Sequence, residues 1–343
     1  MSSQAGKVKA SQLWFTAPYA VEVRDKELPA PAEHQVLVKT HYSAVSAGSE
    51  LLLFRGQLPQ AMALDSSLES LQQSADYPLQ YGYACVGEVQ QLGSAVDASW
   101  KGRQVFSFQP HASHFLAGVD ELIQVPDGVS GRNSVFLPNM ETAVNLVHDG
   151  RPLMGERVVV IGQGIVGLLL SALLARHPLA SLAAVEKQQS RMELSKRLGV
   201  QSVHMPEAME ADERPAGLID ADLIYEVSGH PDALNLAIAM SGFSSRVVIG
   251  SWYGSKSAAV HLGGEAHRNR LQIVTSQVST LSPELTGRWN KQRRFSLAWE
   301  MIRQTNPEQL ITHSVPISEA GDLYQQLHQE DPGITQLLFD YPD

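Results

Sequence analysis

The sequence predicts an α/β protein in which a doubly wound parallel sheet is joined to a β-rich domain. Three observations lead there. An apolar run, Val158-Val-Val-Ile161, leads into glycines at Gly162, Gly164 and Gly167 and then into an apolar segment of helical length, Leu168–Ala175. Strand-like and helix-like stretches then alternate, as parallel strands with crossover helices do. Up to about Val147, by contrast, short β-branched and aromatic runs follow one another between Gly, Pro and Asp. At 343 residues the chain exceeds the usual single core, which agrees with two domains.

In the first part, Val36–Tyr42 alternates as a half-buried strand does, and Tyr83–Val89, Gln104–Phe108 and Glu121–Val125 follow as strands. Gly82 and Gly87 there indicate bends or close backbone approach. Leu51–Pro78 is different: low in charge and without a strand period, it reads as an irregular or short-helical insertion able to cover a site. Pro138–Leu146 starts a helix that leads to Val158. Beyond the glycines come a strand at Leu182–Glu186, a helix at Arg191–Leu198, a strand at Asp222–Val227 and a helix at Pro231–Met240. Arg246–Gly250 and Gln272–Ser276 are further strands. The chain then returns to the first domain through a helix at Phe295–Arg303 and a strand at Leu310–Pro316. A helix at Ser318–Gln329, capped by Ser318, and a last strand at Gln336–Phe339 complete it.

The glycine segment carries the function. A strand of three valines and an isoleucine, buried on both faces, enters a turn that opens a helix. The first glycine permits the tight turn, the second lets a pyrophosphate approach the backbone, and the third lets helix and strand pack closely. An anion there meets free N–H groups and the positive end of a helix dipole. The next strand ends in Glu186, 19 residues past Gly167 (186 − 167). An acid at that distance accepts the ribose hydroxyls of an adenosine and repels a 2′-phosphate, which favours NAD over NADP. Lys187 and Arg191 close by soften that preference and keep NADP as the alternative.

Composition narrows the rest. The net charge of −10 argues against nucleic acid as a partner. No apolar run reaches the length of a bilayer, and the N-terminus lacks the apolar core of a secretion signal, so the expected compartment is the cytoplasm. A single cysteine, Cys85, excludes an internal disulfide and a cysteine-built zinc site.

Several stretches, in this order, resemble the medium-chain dehydrogenase/reductase superfamily over nearly the whole chain. They are Ser43–Glu50, Tyr81–Val89, Val105–His111, the Gly162 turn, Glu226–His230, Val247–Gly254 and Leu310–His313. Trp252-Tyr-Gly and Pro138–Ala143 are similar to the zinc-lacking branch that includes bacteriochlorophyllide hydroxyethyl dehydrogenases. The resemblance implies a GroES-like catalytic domain built from both termini, residues 1–147 and 282–343, with a Rossmann domain, residues 148–281, inserted. It further implies a homodimer joined through the cofactor domains and a small-molecule substrate. Pyrophosphate contacts would come from Gln163, Gly164, Ile165 and Val166, and Val227, Ser228 and Gly229 would border the path from adenosine to pyrophosphate. Ser251 and Trp252 follow a strand's C-terminal end, where such sheets place ligands, with Trp252 flanking the nicotinamide or packing at a subunit contact.

Zinc-using members place a cysteine, a histidine and a cysteine or acid where this chain has Ala47, Tyr83 and Glu141. Alanine and a neutral tyrosine are not zinc ligands, so no metal is expected. His111 and His114, three apart, define no metal site, and each is a candidate pocket residue. Without a metal, hydrogen-bond donors or an acid/base group must manage the reacting oxygen. The candidates are Tyr83, as proton donor or as a filler of the metal's space, and Glu141, as base or as partner to a cation. Ser46 and Ser49 are further polar candidates. The expected reaction is hydride transfer between a nicotinamide cofactor and a secondary alcohol or ketone. Reduction of an activated double bond and non-catalytic cofactor binding are the alternatives.

Overall fold

The computed structural model describes residues 7–58, 76–209 and 215–342. Strands β1 (Val8–Ala17), β2 (Ala20–Leu28) and β3 (Gln35–Val45) lead to helix α1 (Ala47–Phe54). Next come β4 (Cys85–Leu92), β5 (Gln104–Ser107), β6 (His114–Gly118) and β7 (Leu122–Gln124), then the short α2 (Gly131–Ser134) and the long α3 (Leu137–Gly150). The alternating part contains β8 (Arg157–Ile161), α4 (Ile165–Leu174), β9 (Ser181–Val185), α5 (Gln189–Arg197) and β10 (Ser202–His204). It continues with β11 (Ala221–Glu226), α6 (Ala233–Met240), β12 (Ser241–Ile249) and β13 (Gln272–Thr275). The chain ends with α7 (Lys291–Thr305), β14 (Ile311–Pro316), α8 (Ala320–His328) and β15 (Gln336–Asp340).

These elements form two compact units, Met1–Pro138 with Ile311–Asp343, and Asn139–Leu310. The division differs from the expected one at residues 147 and 282: most of α3 and all of α7 go with the Rossmann-type unit. The reason is a buried side-chain tie, because Arg294 of α7 bonds Glu141 and Asn145 of α3.

The first unit pairs β1 with β2 as an antiparallel hairpin and holds a seven-stranded sheet ordered β14-β15-β3-β4-β5-β7, with β6 also paired to β3. The C-terminal β15 adds to β3 of the N-terminal part, so this unit is indeed built from both ends of the chain. Its core gathers Leu13, Phe15, Leu53, Phe54, Tyr324 and Phe339. The hairpin and β6 carry little period-two signal, and the sequence reading passed over them. In the stretch read as an insertion, α1 covers residues 51–54, while 59–75 lie outside the described residues. Ser318 does not cap α8: a 3-10 turn over Ile317–Glu319 precedes that helix, which starts at Ala320 with Glu319 as N-cap.

The second unit is a six-stranded parallel sheet ordered β10-β9-β8-β11-β12-β13. Val158, Val159, Val160 and Ile161 are all buried, as their apolar run requires; full burial of such a side chain stabilises by roughly 1.5–3 kcal/mol. From β8 the chain winds outward through β9 and β10, then returns to the other side of β8 and winds outward through β11, β12 and β13. The strand order therefore reverses between β8 and β11, and the crevice outside their carboxyl ends is where such sheets bind ligands. Among the described residues, no helix is long and apolar enough to cross a membrane.

Candidate functional site

At the reversal point the glycine turn has the geometry its residues foretell. Gly162 has φ +91°, and a Cβ there would lie 2.6 Å from the Ser228 Cα, so the turns after β8 and β11 touch. At Gly167 a Cβ would sit 2.0 Å from the Gly162 carbonyl oxygen, which fixes the close start of α4. Gly164 is unlike both. It is the N-cap of α4, it gives that helix no side-chain cap, and a Cβ on it would meet nothing within 4 Å. The protein's own packing thus gives no reason for a glycine there, whereas an anion approaching the backbone does. Ile165 and Val166, both partly exposed, open the helix with N–H groups that have no acceptor among the described residues. This cradle fits a diphosphate.

Glu186, 8% exposed, follows β9 directly. Its Oε2 accepts the Gln163 N–H at 2.7 Å, and its Oε1 accepts the N–H groups of Lys187 at 2.8 Å and Gln188 at 2.9 Å. These bonds fix the carboxylate beside the turn and leave lone pairs for ribose hydroxyls. Lys187 is exposed and is tied to the acid through its backbone alone among these bonds. Gln163 is held within the turn. Its Oε1 accepts from Ser171 Oγ at 3.1 Å and Ser195 Oγ at 2.9 Å, its amide donates to the Gly162 carbonyl, and its own N–H goes to Glu186. It braces α4 and α5 against the turn.

The expected residues after β11 and β12 are tied to one another. Gly229 N–H donates to Ser251 Oγ at 2.8 Å, and Ser228 donates through N–H and Oγ to Glu226. Val227 borders the Gly162 turn, its N–H reaching the Ile161 carbonyl at 2.9 Å. Trp252 is 37% exposed.

Glu141 is not a free base. It is 4% exposed, and its Oε1 accepts from Nε and Nη2 of the wholly buried Arg294 at 3.0 and 2.8 Å. Arg294 also donates to Asn145 Oδ1 at 2.6 Å and to the Thr280 and Val278 carbonyls. Burial pushes the Glu141 carboxyl above its ordinary pKa, and Arg294 opposes that push. Glu141 thus makes the pair with a cation that was the second role named for it, within the second unit. The sequence carried no signal for its partner, 153 residues away.

In the first unit, Ser46 and Tyr83 do come together. Ser46 is the N-cap of α1, yet its hydroxyl makes no cap bond and instead meets the Tyr83 hydroxyl; Ser49 Oγ lies 3.3 Å from the same phenol oxygen. The N–H of Ser46 is held from inside the helix by Glu50, whose Oε1 accepts it at 2.7 Å. Glu50 is wholly buried, and its Oε2 accepts from Tyr324 and lies 3.2 Å from His111 Nε2. His111 Nδ1 in turn meets Ser43 Oγ at 2.7 Å, and Ser43 Oγ meets Tyr341 at 2.8 Å. His111 is thus a satisfied core histidine. His114, on β6, is half-buried beside Ser113; burial, with Lys39 adding, lowers its pKa. Cys85 is inert: its thiol donates to the Gln109 carbonyl, and burial pushes its pKa up to about 12.

No family model matches the chain. It is 25% identical to the D-guloside 3-dehydrogenase of Escherichia coli K12, over 94% of this chain and 97% of that one. The crystal structure of 2R,3R-butanediol dehydrogenase from Bacillus subtilis superposes with a TM-score of 0.78, at 16% identity, covering 97% of this chain and 100% of the other. The fold is that of the medium-chain alcohol dehydrogenases. A relative by structure, an alcohol dehydrogenase from Escherichia coli CFT073 solved with NADH, gives 0.76 at 17% identity over 98% of this chain and 100% of that one. The relatives are polyol and alcohol dehydrogenases, zinc-type proteins among them.

The donors at the three positions where zinc-using members hold the metal are poor ones. Ala47 has no ligand atom, the Tyr83 hydroxyl is shared with Ser46 and Ser49, and the Glu141 carboxylate is held by Arg294. Among the described residues no group of three His, Cys, Asp or Glu could hold a metal ion. These three positions do not fit zinc, which takes three good N, S or O ligands at a catalytic site.

Proposed function

We propose that this protein is an NAD-dependent dehydrogenase/reductase that interconverts a secondary alcohol, of the polyol type its relatives use, and the corresponding ketone without zinc. The observation that carries the reading is Gly164, a glycine with open space where a Cβ would be, at an uncapped helix start beside a fixed carboxylate. Glu186 supports NAD over NADP, because its charge would meet a 2′-phosphate. A bound nicotinamide would supply the hydride exchange. The chain supplies the proton. Ser46 withholds its hydroxyl from its own helix and gives it to Tyr83, a breach of local capping preference of the kind found where function competes with stability. In ketone reduction Tyr83 donates its proton to the developing alkoxide, while hydrogen bonds from Ser46 and Ser49 stabilise the phenolate left behind. In oxidation the same groups run in reverse.

The test is NADH formation from NAD with a panel of polyols and secondary alcohols, before and after exhaustive chelation. Turnover should be unchanged by the chelator. Tyr83→Phe should lower kcat by about a hundredfold or more, the usual worth of a positioned proton donor. Stoichiometric zinc lost together with activity would overturn the metal-free reading. Absence of both turnover and NADH binding would overturn the whole.

We also infer that the protein pairs with a second copy through the edge of the six-stranded sheet. All four residues of β13 are exposed, Ile273 and Val274 at 41% and 37%, and nearby β12 exposes Phe243 at 73%. An unpaired edge with apolar side chains is a template for strand addition, and two copies of β13 meeting about a twofold axis would close it. Sedimentation should give a dimer at micromolar concentration, and Ile273→Lys should shift it toward monomer. A parent protein sedimenting as monomer would dismiss the pairing.

A further inference from the structure

Glu226 is a wholly buried carboxylate that neither the glycine motif nor the proton relay uses. It ends β11, level with Ile161 of β8 on one side and Ile249 of β12 on the other, so it stands at the point where the strand order reverses. Its Oε1 accepts from Ser228 N–H at 2.8 Å and Ser228 Oγ at 2.5 Å, and its Oε2 accepts from the Tyr253 hydroxyl at 2.5 Å. Among the described residues it has no ion-pair partner, only these neutral donors. A carboxylate out of water and without a cation is costly, and such groups persist where their geometry is needed.

What the carboxylate fixes is the relation between two loops. One, after β11, carries Ser228 and packs on Gly162; the other, after β12, carries Tyr253. The bond from Gly229 N–H to Ser251 Oγ and the 2.7 Å bond from Lys256 Nζ to the Gly229 carbonyl join the same loops a second and third time. Burial, with Glu226 adding, pushes the Tyr253 phenol well above its ordinary pKa, so it stays a donor.

Strand order says which half of the coenzyme these loops meet. Glu186 after β9 marks the adenosine ribose, and the start of α4 after β8 marks the diphosphate. Continuing across the sheet in the same direction, the remaining half lies over the ends of β11 and β12. We propose that Glu226 and Tyr253 are positioning residues that set the loops around the nicotinamide half of the coenzyme, an inference that rests on the coenzyme reading above.

The experiment compares NADH with ADP-ribose, which shares the adenosine and diphosphate but lacks the nicotinamide. Affinities for both are measured by titration on the parent, Tyr253→Phe and Glu226→Gln, alongside thermal melting. Tyr253→Phe removes one hydroxyl and nothing else, so it remains decisive should Glu226→Gln fail to fold. NADH should bind about tenfold or more weakly to the variants, as for loss of a hydrogen bond to a charged group, with ADP-ribose affinity within about twofold of the parent. Equal NADH affinity in Tyr253→Phe and parent would overturn the proposal. So would parallel weakening of both ligands, which would show a general structural role. A parent that binds neither ligand would instead bring down the coenzyme reading, and this proposal with it.

Discussion

Gly164→Asp is expected to abolish coenzyme binding and leave the protein folded. The backbone there, at φ −66° and ψ −176°, suits any residue, and a Cβ meets nothing within 4 Å. Aspartate is also a good N-cap, so the helix itself loses nothing. The harm falls on the ligand. A carboxylate would occupy the space the diphosphate needs and would stand against its charge. Two unit charges about 4 Å apart interact by about 4 kcal/mol at the effective dielectric of a protein surface, which is roughly a thousandfold in affinity. Titration of NADH fluorescence measures this, and an unchanged Kd would remove the diphosphate from this turn. The neighbouring Gly162→Ala marks the contrast. At φ +91°, with Ser228 Cα 2.6 Å from the new methyl, it should lower the melting temperature as well as the affinity.

How much of this was legible beforehand follows the range of each interaction. The strand, turn and helix around Gly162 were readable because their signal is local: burial on both faces, glycine placement, and an acid at a fixed distance. Every strand of the alternating part longer than β10 was likewise visible as an apolar run. What the sequence did not reveal is pairing at long range. Ser46 and Tyr83 were named one by one, but nothing in the separation of 37 positions says that an N-cap serine forgoes its helix for that phenol. His111 looked like a pocket residue because the stretch Pro110-His-Ala-Ser-His114 reads as a polar turn. Its burial is decided by Glu50, 61 residues earlier. Gln163 was taken from the motif as a ligand contact, and nothing local says that its side chain is claimed by serines from two helices. Glu226 left a usable clue, an acid closing an apolar strand just as Glu186 does, although its partner Tyr253 could be found only in three dimensions.

Arg294→Met should destabilise the second unit strongly. Its guanidinium is fully buried and joins α7 to α3 through Glu141 and Asn145, and to the segment before α7 through the carbonyls of Val278 and Thr280. Methionine fills much of the volume and supplies no donor. Glu141 would be left as a buried carboxylate without its cation, a loss of about 3–5 kcal/mol by analogy with broken buried pairs. The effect should depend on pH, and its sign follows from Glu141. With Arg294 gone, burial is opposed only by the weaker pull of the Lys291 charge, so the folded pKa of the carboxyl rises further above the unfolded value near 4.3. An acid with a raised folded pKa destabilises once pH exceeds the unfolded value, and the deficit grows until pH passes the folded one. The variant's melting point should therefore lie closer to the parent's at about pH 4.5 than at about pH 8. Adding Glu141→Gln should recover part of the loss at the higher pH and little at the lower. A variant that melts with the parent at both values, or a deficit that ignores pH, would show that the pair does not hold α3 to α7.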